Sequence, residues 1–384
     1  NAMSGIVNAV TKDGSNEFHG SFNSGFSTYI TENKRNGDEV FIGLDPFGIN
    51  SNSDLKFSLS GPVIKDRLYF FTNFRTQDVS GHLNGVRRFE VWNLSNFYDQ
   101  DSSKWFSENT GDSSFVPMNK GQYSSFMGKL SYNLGSIKLA LMLNVNNSIS
   151  RGYNHIYKYN PDGRSYGDGT TTLTMFQLNH FLNEKMFYDV KYSITDNDYG
   201  SYVFEDYRGY EVLTEDGIHQ GVYHFAGDTI YNYVSDKYMT AYGTGFFTGG
   251  QDKGHLNRIT KTYNFKSDFT WQVTNAHSIK TGFSFISHEL ENIYHTIRNA
   301  FAGTSLESDQ YKPIVLPDST VYSDVYGVKP KERSFYIQDK FEKDETVINV
   351  GLRYDAFDAN TTYPSQRRNP VNASTYYLKN IDGL

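Results

Sequence analysis

Tyrosine dominates any reading of the chemistry in this chain. Between 199 and 242 it carries Tyr199, Tyr202, Tyr207, Tyr210, Tyr223, Tyr231, Tyr233, Tyr238 and Tyr242. Such rings offer flat stacking surfaces with a hydroxyl handle, and they lose little side-chain entropy when ordered. On an exposed loop that suits a peptide or a glycan. The plainer alternative is that the rings pack the loop against its neighbours. Trp92 and Trp105 allow the same two readings. The candidate ligand contacts are therefore Trp92, Trp105, Tyr199, Tyr202, Tyr207, Tyr210, Tyr223, Tyr231 and Tyr233.

Other chemistry is weakly signalled. Asp162 and Asp168 in "NPDGRSYGDG" (160–169), and Asp196 and Asp198 in "TDNDYG" (195–200), could offer oxygens to calcium. Neither stretch has the EF-hand spacing, so Asx-turns account for them better. His219 and His224 stand five apart, which suits neither one helix face nor one strand face. "HELENIYH" (288–295) lacks the second histidine of a zinc-protease helix. "GTGFFTGGQDKG" (243–254) is glycine-rich, yet a strand pattern follows where a phosphate cradle needs a helix N-terminus. No Ser–His–Asp set or catalytic carboxylate pair stands out. The expectation is a non-enzyme with no catalytic residue, metal site or cofactor. With no cysteine in the chain, disulfides and thiolate sites are ruled out. A net charge of −7 argues against nucleic acid as a partner.

The elements that must position these rings read as strands. Period-two runs bounded by turn residues occur at 18–28, 54–61, 67–78, 121–134, 136–151, 172–182, 186–199, 258–272, 277–289, 333–342 and 346–357. In 136–146, Ile137, Leu139, Leu141, Leu143 and Val145 alternate with Lys138, Ala140, Met142, Asn144 and Asn146. Phe22, Phe57, Phe70 and Phe283 fall on similar apolar faces. The connections alternate strictly. "GPVIKD", "NLGS", "NEK", "TNAH" and "KDET" close tight hairpins, whereas 29–53, 79–120, 152–171, 200–257 and 290–332 are long.

Loops of that length are uncommon inside compact soluble domains. A sheet with one trimmed rim and one elaborated rim is the pattern of an outer-membrane barrel, with short periplasmic turns and long extracellular loops. Runs of about 9–11 residues suffice to cross the hydrocarbon. The mean hydropathy of −0.58 fits, because lipid-facing and lumen-facing residues average out. No stretch is long and apolar enough for a membrane-spanning helix. Interfacial Tyr132, Tyr192, Trp271 and Tyr354 are expected at headgroup level near strand ends. An open sheet edge cannot stand in lipid. The fold class expected is thus an all-β, antiparallel transmembrane β-barrel, present as about eleven strands, with its remaining barrel strands outside this sequence.

Three stretches resemble a known family. "GIVNAVTKDGSNEFHGSF" (5–22) is similar to the junction of plug and barrel in TonB-dependent outer-membrane transporters, where a "VNxVTKxGTNxFHG" stretch leads into the first barrel strand. "SGPVIKDRLYFFTNFR" (60–75) resembles the first periplasmic turn of the Oar-like branch, whose members often carry a carboxypeptidase-regulatory-like domain. "FYIQDKFEKDETVINVGLRYDAFD" (335–358) resembles a mid-barrel hairpin of the same family. The resemblance implies a 22-stranded barrel with a globular plug. Residues 1–17 would end the plug and form its hinge, 18–357 would be the N-terminal half of the barrel, and 358–384 would open a further extracellular loop. It also implies active transport of a peptide, glycan or other large nutrient across the bacterial outer membrane. The partners implied are the TonB-ExbB-ExbD energy-coupling complex, outer-membrane lipids and surface lipoproteins. A passive outer-membrane channel or adhesin is the alternative, and a secreted all-β glycan-binding protein is a third. The secreted protein would bury its apolar face; the barrel would leave it bare.

Overall fold

The computed structural model describes residues 11–31, 34–35, 38–44, 51–206, 222–225, 228–240, 245–307, 310–364 and 375–377. Eleven long strands make one antiparallel sheet, each paired with its neighbour in the chain. They are β1 (His19–Ser27), β2 (Asn52–Ile64), β3 (Leu68–Val79), β4 (Gly121–Leu134), β5 (Ile137–Ser150) and β6 (Tyr166–Asn183). Then follow β7 (Met186–Tyr202), β8 (Gly254–Gln272), β9 (His277–Thr296), β10 (Lys331–Lys343) and β11 (Thr346–Asp358). Among the described residues β1 pairs only with β2, and β11 only with β10, so this arc of wall is not closed.

The ladder register shows that the arc belongs to a barrel. Leu68 begins β3 opposite Tyr132, two residues before β4 ends at Leu134. Ile137 begins β5 opposite His180, three before the end of β6 at Asn183. Met186 faces Trp271, one before the end of β8, and His277 faces Phe341, two before the end of β10. The tight turns therefore step by about one residue per strand. With about 3.3 Å of rise and about 4.8 Å between strands, level turns require a tilt of about 35°. That is the tilt of a closed β-barrel.

The two faces differ as the alternation requires. Phe22, Phe57, Phe74, Phe126, Leu141, Leu143, Phe176 and Phe283 are all at least two-fifths exposed, in one continuous field across the sheet. Phe22 pairs with Phe57, Phe57 with Phe74, and Phe74 with Phe126. A soluble sheet would cover such a field. The opposite face carries charge: Arg75 holds Asp54 through two hydrogen bonds of 2.9 and 3.0 Å, and Lys266 pairs with Asp268 at 2.9 Å. Gly282 lies beneath Tyr336, whose hydroxyl donates to Asp268. A Cβ at Gly282 would sit 2.4 Å from the Tyr336 ring.

Several strands run longer than their apolar alternation. β6 starts at Tyr166, β7 reaches Tyr202, β8 starts at Gly254 and β9 reaches Thr296. The 20 residues of β9 span about 66 Å, or about 54 Å in height at this tilt, against about 30 Å of hydrocarbon. The surplus stands in water, where neither face has to be oily, and so the alternation fades while the pairing continues. Ser323–Val328 extends β10 in the same register along β9, interrupted only at Lys329–Pro330. Tyr132 and Trp271 lie within two residues of strand ends, as expected of interfacial rings, whereas Tyr192 and Tyr354 sit mid-strand.

Residues 11–17 lie on the polar face beside the short-turn rim. Asp13 meets Lys129, Ser131 and Lys138 of β4 and β5. Asn16 meets the β2–β3 turn: its side-chain oxygen accepts from the Asp66 amide (2.8 Å) and the Tyr69 hydroxyl (3.1 Å), and its amide nitrogen donates to the Asp66 carboxylate (2.5 Å). Phe18 then opens the apolar field by covering Gly61, where a Cβ would lie 2.4 Å from the ring.

Candidate functional site

The hydrophobic core of this chain is in its long connections and not in its wall. Of the buried apolar residues among those described, all but Ala140, Met142 and Tyr202 lie outside the eleven strands. The described parts of the connections 80–120, 151–165, 203–253 and 297–330 interlock through polar side chains, most of them buried. The Arg87 guanidinium joins the first to the second through Asp162 at 2.6 Å. The Asn160 amide donates to Gly250 O (2.7 Å), tying the second to the third. Ser95 and Thr248 share a hydrogen bond of 2.7 Å between the first and third, and Asn299 donates to Ser235 Oγ (2.9 Å) between the fourth and third. Burial demands partners for such groups; Ser95, Thr248 and Asn299 have them, whereas the Asn160 side-chain oxygen is buried without one. The hydrogen bond to Asp162 raises the Arg87 pKa against the opposing effect of burial.

This cap holds a half-open cavity of about 460 Å³. Trp92 and Leu94 line it from the first connection, Tyr231, Tyr233, Val234, Ser235 and Tyr238 from the third, and Phe301, Glu307, Gln310, Tyr311 and Lys312 from the fourth. The Tyr233 ring stacks on Tyr311 at 5.1 Å and 18°, and meets Phe204 edge-on at 5.3 Å. Val91 and Ile297 pack into the same cluster. Burial raises the Tyr311 phenol pKa, and its hydroxyl donates to Ile297 O (3.3 Å). Gln251, 1% exposed, fixes the cavity wall: its amide donates to Asn232 O (2.8 Å) and its oxygen accepts from Val234 N (3.3 Å), one on each side of Tyr233. The Lys253 side chain, 6% exposed, pairs with Asp236 at 2.7 Å; burial lowers its pKa. The size and mixed lining are those of a small-ligand pocket.

The structure sorts the candidate residues. Trp92, Tyr231 and Tyr233 come together in the cavity, with Tyr238 beside them. Tyr199 and Tyr202 belong to β7, not to a loop. Tyr199 lies across Gly167, where a Cβ would come 2.8 Å from its hydroxyl. Tyr202 is buried, stacked on His255 (5.1 Å, 21°) and edge-on to Tyr166, so it braces the strand tops. Trp105 sits apart, against Phe97 at 5.7 Å, with its indole nitrogen donating to Asp99 O (2.9 Å). Tyr207, Tyr210 and Tyr242 lie outside the described residues, as does the side chain of Tyr223, whose backbone pairs in a short ribbon with Ile230.

The weaker signals resolve as well. Asp162 is held by Arg87 and Arg151, and Asp196 by Lys261 at 3.2 Å, so these carboxylates face cations of the chain itself. Among the described residues no group of three or more acidic or histidine side chains is placed to hold a metal. His288 and His295 bond to Thr262 and Ser323. His219 and the side chain of His224 fall outside the described residues. The glycine-rich run serves close packing: a Cβ at Gly249 would lie 1.9 Å from Asn93 O, and one at Gly250 would lie 2.3 Å from Met239. Phe301 and Tyr311 stand in no tyrosine-dense stretch or motif, and Gln251 is visible in the sequence only as part of the glycine-rich run 243–254.

No known family profile matches the chain. Over 72 residues it is 36% identical to the TonB-dependent transporter Oar of Myxococcus xanthus, a match covering 18% of this chain and 7% of that protein. The outer membrane transporter YddB from Escherichia coli superposes over 90% of this chain and 39% of its own, with TM-score 0.52 and 12% identity. FpvA of P. aeruginosa, solved with bound pyoverdine, aligns over 80% of this chain and 35% of its own at TM-score 0.46 and 12% identity. The likeness to the E. coli transporter is one of fold. This chain spans well under half the length of each of these proteins.

Proposed function

We propose that this chain is part of a TonB-dependent transporter of the bacterial outer membrane, and that the aromatic cavity in its cap captures the substrate. One observation carries this reading. A tilted wall with a bare apolar face has trimmed turns on one rim and, on the other, loops interlocked around an aromatic cavity. The apolar field faces lipid, and the charged face lines the lumen. In this reading residues 1–17 end the plug, 18–357 form half of the barrel and 358–384 begin the next extracellular loop. Outer-membrane lipids, further strands and the TonB-ExbB-ExbD complex complete the machine, and surface lipoproteins are candidate partners at the cap. The substrate is a large nutrient, a peptide or a glycan, of which the cavity holds one aromatic, aliphatic or sugar unit. The short alignment to a TonB-dependent transporter supports the reading.

The test uses full-length protein in detergent, offered casein peptides in one assay and maltooligosaccharides in another, with retained ligand identified by mass spectrometry. Trp92→Ala and Tyr233→Ala should each weaken retention at least tenfold. In cells, uptake of the retained ligand should stop on addition of a protonophore. Uptake that continues without proton-motive force would establish the passive channel instead.

A further inference from the structure

The structure assigns to the polar face of the wall a carboxylate-binding site, made by Lys129, Ser131 and Lys138 and occupied by Asp13 of the same chain, which anchors residues 11–16 to the barrel. Lys129 and Ser131 stand two apart on β4 and so share a face; Lys138 reaches in from β5. The Ser131 hydroxyl donates to one Asp13 oxygen at 2.9 Å and Lys129 pairs with the same oxygen at 2.6 Å. Lys138 takes the other oxygen at 2.5 Å. Lys129 also donates to Thr11 Oγ1 at 3.0 Å.

Burial of Lys129 and Ser131 separates this cluster from an ordinary surface pair, while the Asp13 side chain is part-buried and that of Lys138 exposed. The Lys129 side chain is only 9% exposed and Ser131 2%. An enclosed ammonium is tolerated only with close partners, and removing one partner leaves the other charge uncompensated. An exposed pair would hold almost nothing. Ala140 and Met142, the buried apolar residues of β5, lie on the same face of the wall.

A second fixing point makes the segment directional. Asn16 bonds to the β2–β3 turn through three hydrogen bonds, and Gly14 passes between the two anchors so closely that a Cβ would lie 2.4 Å from Phe70 O. The order of carboxylate, glycine and amide at 13, 14 and 16 is thus set by what each meets. The functional consequence rests on the transporter reading: if the plug lies ahead of Thr11, movement in the plug stops at this anchor and the entry into β1 stays in place.

The experiment is trypsin cleavage after Lys12 in full-length protein in detergent micelles, with barrel integrity followed by heat-modifiable gel migration. Lys12 is exposed, but its bond is cleavable only when the flanking residues let go of the wall. Asp13→Asn and Lys129→Gln should each raise the cleavage rate at least tenfold, while Lys185→Gln, in the β6–β7 turn, should not. The double variant Asp13→Asn/Lys138→Gln should cleave no faster than Asp13→Asn, because one site is being removed twice. If Lys129→Gln fails to fold, Lys138→Gln alone keeps the buried lysine paired and should cleave about threefold faster. Unchanged cleavage in folded Asp13→Asn or Lys138→Gln protein overturns the anchor. That outcome leaves energised uptake untouched, whereas uptake without proton-motive force removes the transporter reading and leaves the anchor standing.

Discussion

At Gly249 the backbone takes φ +131, a region closed to residues with a side chain, within 2 Å of the Asn93 carbonyl where a Cβ would stand. Gly249→Ala should therefore pry the first and third connections apart. Ligand retention should fall at least tenfold, while the heat-modifiable migration of the barrel stays normal. Asp13 gives a prediction in pH. Burial alone would raise its pKa, but hydrogen bonds from Lys129, Lys138 and Ser131 outweigh that and hold it at about 2, below the ordinary 3.8. A depressed carboxyl stabilises the folded state above its unfolded pKa and loses that contribution as pH falls through the folded one. Amide exchange of residues 11–16, corrected for intrinsic rates, should be constant from pH 5 upward and should accelerate only as pH drops from about 4 to about 2. Little of this was legible beforehand. "TKDGSN" reads as a polar turn, because its partners stand more than 100 residues away at Lys129 and Lys138. Trp92 and Tyr233 were legible as aromatic loop residues; Tyr311 and Gln251, which fix them in place, were not.

Within the strands, side chains sort by face. Leu141, half exposed on the apolar face of β5, lies near the middle of the expected lipid span. Leu141→Arg should destabilise the barrel in lipid vesicles by about 2–4 kcal/mol, while Asn144→Arg, on the polar face of the same strand, should be nearly neutral. Unfolding midpoints in urea measure both. The alternation in 136–146 was enough to place these residues, because hydrocarbon on one side leaves no latitude in facing. It was not enough above the membrane. In the extended part of β6 Thr170 and Thr171 lie opposite Asn147 and Asn146, with no apolar partner, and oily alternation begins only at Thr172, six residues after the strand starts. The pairing is there because a ladder needs only backbone groups.

The whole molecule combines two solids of opposite construction. The wall is oily outside and charged inside, and the cap is a small globule with its apolar residues inside, fastened by amides and ion pairs where other extracellular modules use disulfides. The absence of cysteine makes orientation simple to measure. Ser103→Cys, in the cap, should react with an impermeant maleimide on intact cells, and Glu345→Cys, in the β10–β11 turn, only after the outer membrane is opened; the reverse pattern would invert the molecule. The number and facing of strands were legible because loop lengths alternate and oil alternates. The cap was not, since its contacts join connections that the sequence keeps far apart. The one-residue step between neighbouring strands has a bearing on how such a chain can change over time. Adding a single residue inside a strand would turn every side chain beyond it the wrong way round, so the wall can lengthen only by even increments or by a compensating bulge such as the one near Asn183. The cap connections obey no such parity. Lineages that diversify this protein are free to edit its crown one codon at a time and must leave the staves beneath it nearly fixed in length.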